Sequence, residues 1–236
     1  MEKLKDKKTC VEFIFKIVYV AIALTSTIIS FAILNKTESG EVRSPLMFYT
    51  NWSVWFVTIT AVLSLIVTIF AIFKNKNIDN DVIEMLKFAS LIMIIATFII
   101  SAFVLPDKIW KSGYWTLSSV FKHFLLPIFT VVDFLLYTRR GTLRMYFPFT
   151  ALVVPFIYWV IIIVRFLIKR ANSGGAIPED LWPFYYPYGF TNIDNGHSLG
   201  FLLGLIAGIV VGLIGIGYAL YFLKRNKKTD VEEIEA

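Results

Sequence analysis

The sequence predicts an all-α, polytopic membrane protein: six transmembrane helices in one bundle, with both termini in the cytoplasm. Six apolar runs each reach the roughly 20 residues needed to cross about 30 Å of hydrocarbon. The 236 residues are 57% apolar and only 17% charged, too few charges for the polar shell of a soluble domain this size. Lysine and arginine gather in short clusters between the runs and favour alternate connections, the pattern that sets topology.

The first span covers about residues 11–34, behind a hydrophilic tail carrying Lys3, Lys5, Lys7 and Lys8. It is too long for a signal-peptide core and lacks a small-residue cleavage pattern, so a retained signal anchor is expected. Further spans are expected at about residues 48–73, 85–105, 115–137, 146–168 and 198–223. One set of connections holds fourteen basic residues, in the segments around Lys3–Lys8, Lys74–Lys87, Arg139–Arg144 and Lys224–Lys228; the opposite set holds six, Lys36, Arg43, Lys108, Lys111, Lys169 and Arg170. The positive-inside rule then puts both termini in the cytoplasm. Trp52, Trp55, Trp110, Trp115 and Trp182 mark the outer face, leaving Trp159 mid-span.

The one long connection, residues 169–197, contains Pro178, Pro183 and Pro187 and six aromatic residues. The prolines exclude a continuous helix. The aromatics favour a segment folded onto the outer surface, either as a lid or as an interfacial belt. In the last span Gly196, Gly200, Gly204, Gly208 and Gly212 recur every four residues. Such a ridge lets helix backbones approach closely, so it predicts packing against a neighbouring helix within the chain, with a homodimer seam as the other use.

Several function classes drop out. The single Cys10 excludes an internal disulfide or cysteine zinc cluster. With only His123 and His197, no metal site is expected. No dinucleotide or P-loop fingerprint appears, and no cofactor is expected. The net charge of +6 does not suggest nucleic acid, because the basic residues flank apolar spans. The lipid bilayer is the expected environment.

Chemistry concentrates in the fourth span, WTLSSVFKHFLLPIFTVVDFLLY, which carries Lys122, His123 and Asp133. An ionisable group at membrane depth costs at least about 2.5–3.5 kcal/mol on insertion scales, so each marks a functional position. Pro127 disrupts the helical bond to the carbonyl four residues back, that of His123. His123 lies eight residues inside the span, about 12 Å down. Thr50, in the first turns of the second span, enters from the same side. A hydroxyl beside an imidazole is the minimal arrangement for nucleophilic catalysis. Asp133 is ten residues beyond His123, about 15 Å along the axis, and is expected to be structural, paired with a base such as Lys16 or Arg139 or with a backbone donor. Lys122 points about 100° away from His123 and is expected to snorkel. Arg165, near the outer end of the fifth span, either snorkels or binds a carboxylate.

The chain resembles the androgen-induced membrane protein family, hydrolases of fatty acid esters of hydroxy fatty acids, and more closely its bacterial six-span branch. The resemblance rests on Phe48-Tyr49-Thr50-Asn51-Trp52-Ser53, Lys122-His123-Phe124-Leu125-Leu126-Pro127, Asp133-Phe134-Leu135-Leu136-Tyr137, Pro155-Phe156-Ile157-Tyr158 and Tyr186-Pro187-Tyr188-Gly189-Phe190. It implies an intramembrane threonine hydrolase in a bacterial plasma membrane, with Thr50 as nucleophile and His123 as general base. Asn51, Ser53, Lys122, Arg165 and Asp194 are the expected supporting or substrate-binding residues, and the resemblance implies a membrane lipid as substrate. Two departures bear on the pocket: Asn51-Trp52-Ser53 replaces the usual Ser-Asn ending, and Thr191-Asn192-Ile193-Asp194 replaces an apolar residue and Asp directly after the aromatics. A proton-coupled or small-molecule transporter using His123, Asp133 and Lys122 as relay groups is the alternative, followed by a non-catalytic scaffold.

Overall fold

The computed structural model describes residues 7–32, 35–36, 42–74, 81–104 and 116–225. Six of its helices are long and apolar enough to cross a membrane: α1 (Lys7–Ala32), α2 (Tyr49–Phe73), α3 (Asp81–Ile99), α4 (Leu117–Tyr137), α5 (Phe147–Asn172) and α6 (Leu199–Lys224). Helices satisfy every interior backbone group within one segment, which hydrocarbon demands. The chain is a multi-pass, all-α protein, with one two-residue-per-strand ladder among the described residues, Asn35–Lys36 against Val42–Arg43, between α1 and α2. The expected span limits at Leu34, Leu105 and Trp115 lie outside the described residues, as do Trp110 and the basic residues Lys3, Lys5, Lys76, Lys108, Lys111, Lys227 and Lys228.

α3 is the most buried span. Phe88, Leu91, Ile92, Met93 and Ile94 are buried along it, between α2, α4 and the start of α5. α1 closes the opposite side by packing on α2 and α4. Two helices depart from α geometry at the same end of the bundle. α3 continues as a π turn over Ile100–Val104, and α4 contains a π turn over Phe121–Leu125. The second is the irregularity expected from Pro127: just before the proline, the Leu126 N–H bonds the Phe121 carbonyl, five residues back.

The glycine ridge corrects an expectation. A Cβ placed at Gly204, Gly208 or Gly212 would meet nothing within 4 Å, whereas one at Gly217 would lie 3.0 Å from Pro148 Cβ. The close approach within the chain is therefore at Gly217, where α6 crosses the start of α5. The ridge expected to pack inside the chain turns outward because α6 is the least buried span. Gly196 is not part of the helix; it has φ +84° ahead of the Ser198 cap.

The segment after α5 is ordered against the bundle, as its aromatics suggested. Gly174 (φ +78°) and Gly175 end α5, and the Gly175 N–H returns to the Arg170 carbonyl at 3.0 Å, the six-to-one closure that a left-handed glycine permits. Short helical turns follow at Glu179–Leu181, Trp182–Tyr185 and Gly189–Thr191. Ile177, Tyr186, Tyr188, Thr191 and Asn192 are buried. Asp194 organises the fold of this segment: it takes the Ile177 N–H (2.9 Å) and the Tyr186 hydroxyl (2.6 Å), and pairs with Arg170 at 2.9 Å.

Candidate active site

At the end of the bundle where α2 and α4 begin and α3 finishes, polar side chains replace the apolar core. Thr50, Asn51 and Ser53 come from α2, Thr97 and Ser101 from α3 and its π turn, Lys122 and His123 from the π turn of α4, and Tyr188 from the connecting segment above them. Asn51, Ser53, Thr97, Ser101, Lys122 and Tyr188 are buried, as expected where an unpaired polar group in hydrocarbon is costly.

Three links hold this layer together. Ser53 Oγ and Thr97 Oγ1 lie 2.7 Å apart, and Ser53 also donates to the Thr50 carbonyl at 2.8 Å. Ser101 Oγ lies 2.9 Å from His123 Nδ1. Lys122 Nζ donates to Asn51 Oδ1 at 3.3 Å, tying the residue beside His123 to the residue beside Thr50. Lys122 is thus buried and bonded inward, contrary to the expected snorkelling. Lys122 and His123 both lie in the π turn over Phe121–Leu125. Asn51 Nδ2 is already committed to the Pro45 carbonyl at 2.9 Å.

The connecting segment reaches the same layer through Tyr188. Its hydroxyl accepts the Tyr49 N–H at 3.0 Å. Burial pushes the Tyr188 phenol up to about 12, with the Tyr49 N–H, then the Tyr158 hydroxyl and Thr50, opposing the rise. Thr191 Oγ1 donates to the Tyr188 carbonyl at 2.6 Å and sets that ring's position.

The Lys122–Asn51 bond links the neighbours of His123 and Thr50, and His123 has Ser101 as its hydroxyl partner. Arg165 and Asp194 stand outside this layer. The Arg165 guanidinium covers the Tyr185 ring at 4.9 Å, and Asp194 is occupied in folding the connecting segment. Ser101 and Tyr188 were missed from the sequence. Thr97 and Ser101 are spaced by four in an apolar run, so they share a helix face, and that spacing was the available signal. A tyrosine that becomes buried needs a hydroxyl partner, but the sequence does not say which loop aromatic will be buried.

Asp133 belongs to a second polar cluster toward the other end of the bundle. Its partner is Lys87 of α3 at 3.4 Å, not Lys16 or Arg139. Lys16 is held by Glu12, one turn back at 3.1 Å, and by Thr68 at 2.7 Å. Lys87 is buried within α3 rather than placed in a connection, with Glu84 at 3.9 Å on its far side. At the same end the Lys224 ammonium caps α4 by donating to the carbonyls of Leu135 (2.8 Å) and Thr138 (2.9 Å), a favourable place for a cation at a helix C-terminus.

Compared with protein-family models, with curated proteins and with solved structures, the chain matches none.

Proposed function

We propose that the protein is an intramembrane hydrolase of lipid esters in which His123 is the general base and Thr50 the nucleophile. The observation that carries this reading is the 2.9 Å His123–Ser101 hydrogen bond between two apolar spans, with the Lys122–Asn51 bond linking the neighbours of His123 and Thr50. A catalytic imidazole works through one nitrogen while the other is held by a partner that fixes ring and tautomer. The proposed mechanism uses the tautomer in which Nδ1–H donates to Ser101 Oγ and the lone pair lies on Nε2. Ser101 thus takes the orienting role that Asp133 is too distant to fill.

Nε2 removes the Thr50 hydroxyl proton as Oγ1 attacks the ester carbonyl. The Lys122 ammonium lies in the same layer and is placed to stabilise the oxyanion, whereas the Asn51 amide is bonded to Pro45. Collapse breaks the ester C–O bond, and the imidazolium protonates the departing alkoxide. Water, deprotonated by His123, then releases the acid from Thr50. The motif resemblance supports the same pair. An activated-hydroxyl probe with mass-spectrometric mapping tests the reading: labelling at Thr50, lost in His123→Ala, supports it, and a folded protein without labelling refutes it.

One observation favours a second nucleophile. Ser101 Oγ is itself within hydrogen-bonding distance of the imidazole, so mapping of the label to Ser101 would reassign the attack while keeping His123 as base. Two further proposals concern the setting. Positive-inside counting favours cytoplasmic termini and the resemblance implies a bacterial plasma membrane, so a cysteine at Ser173 should react with an impermeant thiol reagent from outside and one at Asn77 should not. The outward glycine ridge offers a homodimer seam, and disulfide crosslinking of Gly208→Cys tests it.

A further inference from the structure

Arg165, Lys169 and Arg170 stand together at the end of α5 that leads into the connecting segment. Asp194 pairs with Arg170 at 2.9 Å, and α5 contains no acidic residue of its own. Glu179 and Asp180, the next carboxylates along the chain, are exposed and pair with neither Arg165 nor Lys169. An aromatic ring holds these two cations instead. The Arg165 guanidinium lies over Tyr185 at 4.9 Å, and the Lys169 ammonium lies over the same ring at 5.8 Å. They are one turn apart on one helix face, where like charges oppose each other. Two positioned positive charges thus share one ring and have no counter-charge among the described residues.

We propose that Arg165 and Lys169 bind the phosphate of an anionic phospholipid whose acyl chains lie along α5. The helix itself points to an amphipathic occupant. Ile161, Val164 and Ile168 flank the two cations on the same side of α5, and each is more than two-fifths exposed. Charge and open hydrocarbon therefore adjoin. The span Phe147–Asn172 has 26 residues, about 39 Å of helix against about 30 Å of hydrocarbon. Its last turn, with Lys169, accordingly reaches the headgroup layer, and Ile161 lies deeper. A phospholipid matches that order, with its charge at Lys169 and Arg165 and its chains running toward Ile161. The two non-bridging phosphate oxygens carry the charge, so one can take the guanidinium and the other the ammonium. A soluble anion would supply the charge and leave the stripe uncovered. The bound lipid is a partner rather than a substrate, so this inference stands apart from the hydrolase reading.

Native mass spectrometry of the full-length protein, released from nanodiscs of mixed phosphatidylglycerol and phosphatidylcholine, tests it. The wild type should retain phosphatidylglycerol in preference to phosphatidylcholine. Arg165→Gln and Lys169→Gln should each lower that preference about fivefold, the value of one cation at an anionic surface. Arg165→Lys, which keeps the charge, should retain most of it. Tyr185→Leu removes the ring but no charge, and it should also lower the preference, which a loose cloud of basic residues would not show. Lys74→Gln, at the opposite end of the bundle, should leave the preference unchanged. Thermal melts confirm that each variant is folded. Equal retention of the two lipids by the wild type, or a preference that survives Arg165→Gln and Lys169→Gln together, would overturn the site. A preference untouched by Tyr185→Leu would overturn the ring as its organiser. Displacement of the retained lipid by inorganic phosphate would overturn the phospholipid as the occupant.

Discussion

Ser101 Oγ meets His123 Nδ1 at 2.9 Å, and the two residues come from facing π turns, one closing α3 and the other inside α4. A π turn adds a residue to a helical turn and so redirects the side chains around it. In α4 the redirection follows from Pro127, which cannot donate to the His123 carbonyl. The result turns Lys122 to Asn51 of α2 and His123 to Ser101 of α3. One backbone irregularity thus makes α4 the bridge between two neighbouring helices.

That arrangement predicts an order of effects on ester hydrolysis. His123→Ala should lower turnover by about 10²–10⁴, the usual contribution of a positioned acid–base group. Thr50→Ala and the Thr50→Ala/His123→Ala double variant should fall to a similar residual rate, because residues acting as a unit are far from additive. Thr50→Ser should keep part of the activity. Ser101→Ala should lose about tenfold, the value of one hydrogen bond, with a changed pH profile. If instead Ser101→Ala is inactive and Thr50→Ala hydrolyses normally, the nucleophile is Ser101.

The spans, the polar fourth helix and its break at Pro127 were legible because each depends on local sequence: run length, charge, and a missing N–H. The partners were not. Asp133 meets Lys87 rather than Lys16 because helix rotation decides which buried base faces it, and Lys16 has Glu12 one turn away. The outward ridge was equally hidden. α6 is apolar on every side, so hydrophobic pattern does not distinguish its lipid face from its protein face, and glycine spacing alone was no guide. Ser101 was overlooked because its spacing of four from Thr97 marks a shared helix face but does not say which neighbouring side chain that face meets.

The glycines of α6 should respond unequally to substitution. Gly217→Leu forces side-chain atoms against Pro148, already 3.0 Å from where a Cβ would stand, and should destabilise the protein by about 1–3 kcal/mol. Gly208→Ala enters open space and should be neutral or gain up to about 1 kcal/mol from helix propensity. Thermal melts of the monomer in detergent measure both, and an equal loss at the two positions would contradict the placement of α6.

Tyr188 should leave a mark at alkaline pH. Its phenol is held up to about 12, above the ordinary value near 10. The folded state therefore retains this proton while the unfolded state releases it, so stability falls as pH rises from about 10 to 12. Below pH 10 the contribution is constant. Over that window the wild type should lose about 2–3 kcal/mol relative to Tyr188→Phe. Parallel unfolding curves for the two proteins across the window would show that Tyr188 is not buried against Tyr49 and Thr50.

The Lys87–Asp133 pair, 3.4 Å apart with both side chains buried, should behave as a unit in stability and not in catalysis. Removing one member strands the other charge, which costs about 3–5 kcal/mol in buried pairs. Lys87→Met should therefore leave Asp133 uncompensated, and Asp133→Asn should leave Lys87 facing only Glu84 at 3.9 Å. The double variant removes both charges and should recover much of the loss, because desolvating the pair consumes most of what its attraction provides. Asp133 lies about 15 Å along α4 from His123, so each folded variant should turn over ester at close to the wild-type rate. The measurement is a double-variant cycle in thermal stability, with turnover normalised to folded protein. Additive losses would mean the two charges do not compensate each other. A large fall in turnover per folded molecule would instead place Asp133 in the proton path and favour the relay function of a transporter over the hydrolase.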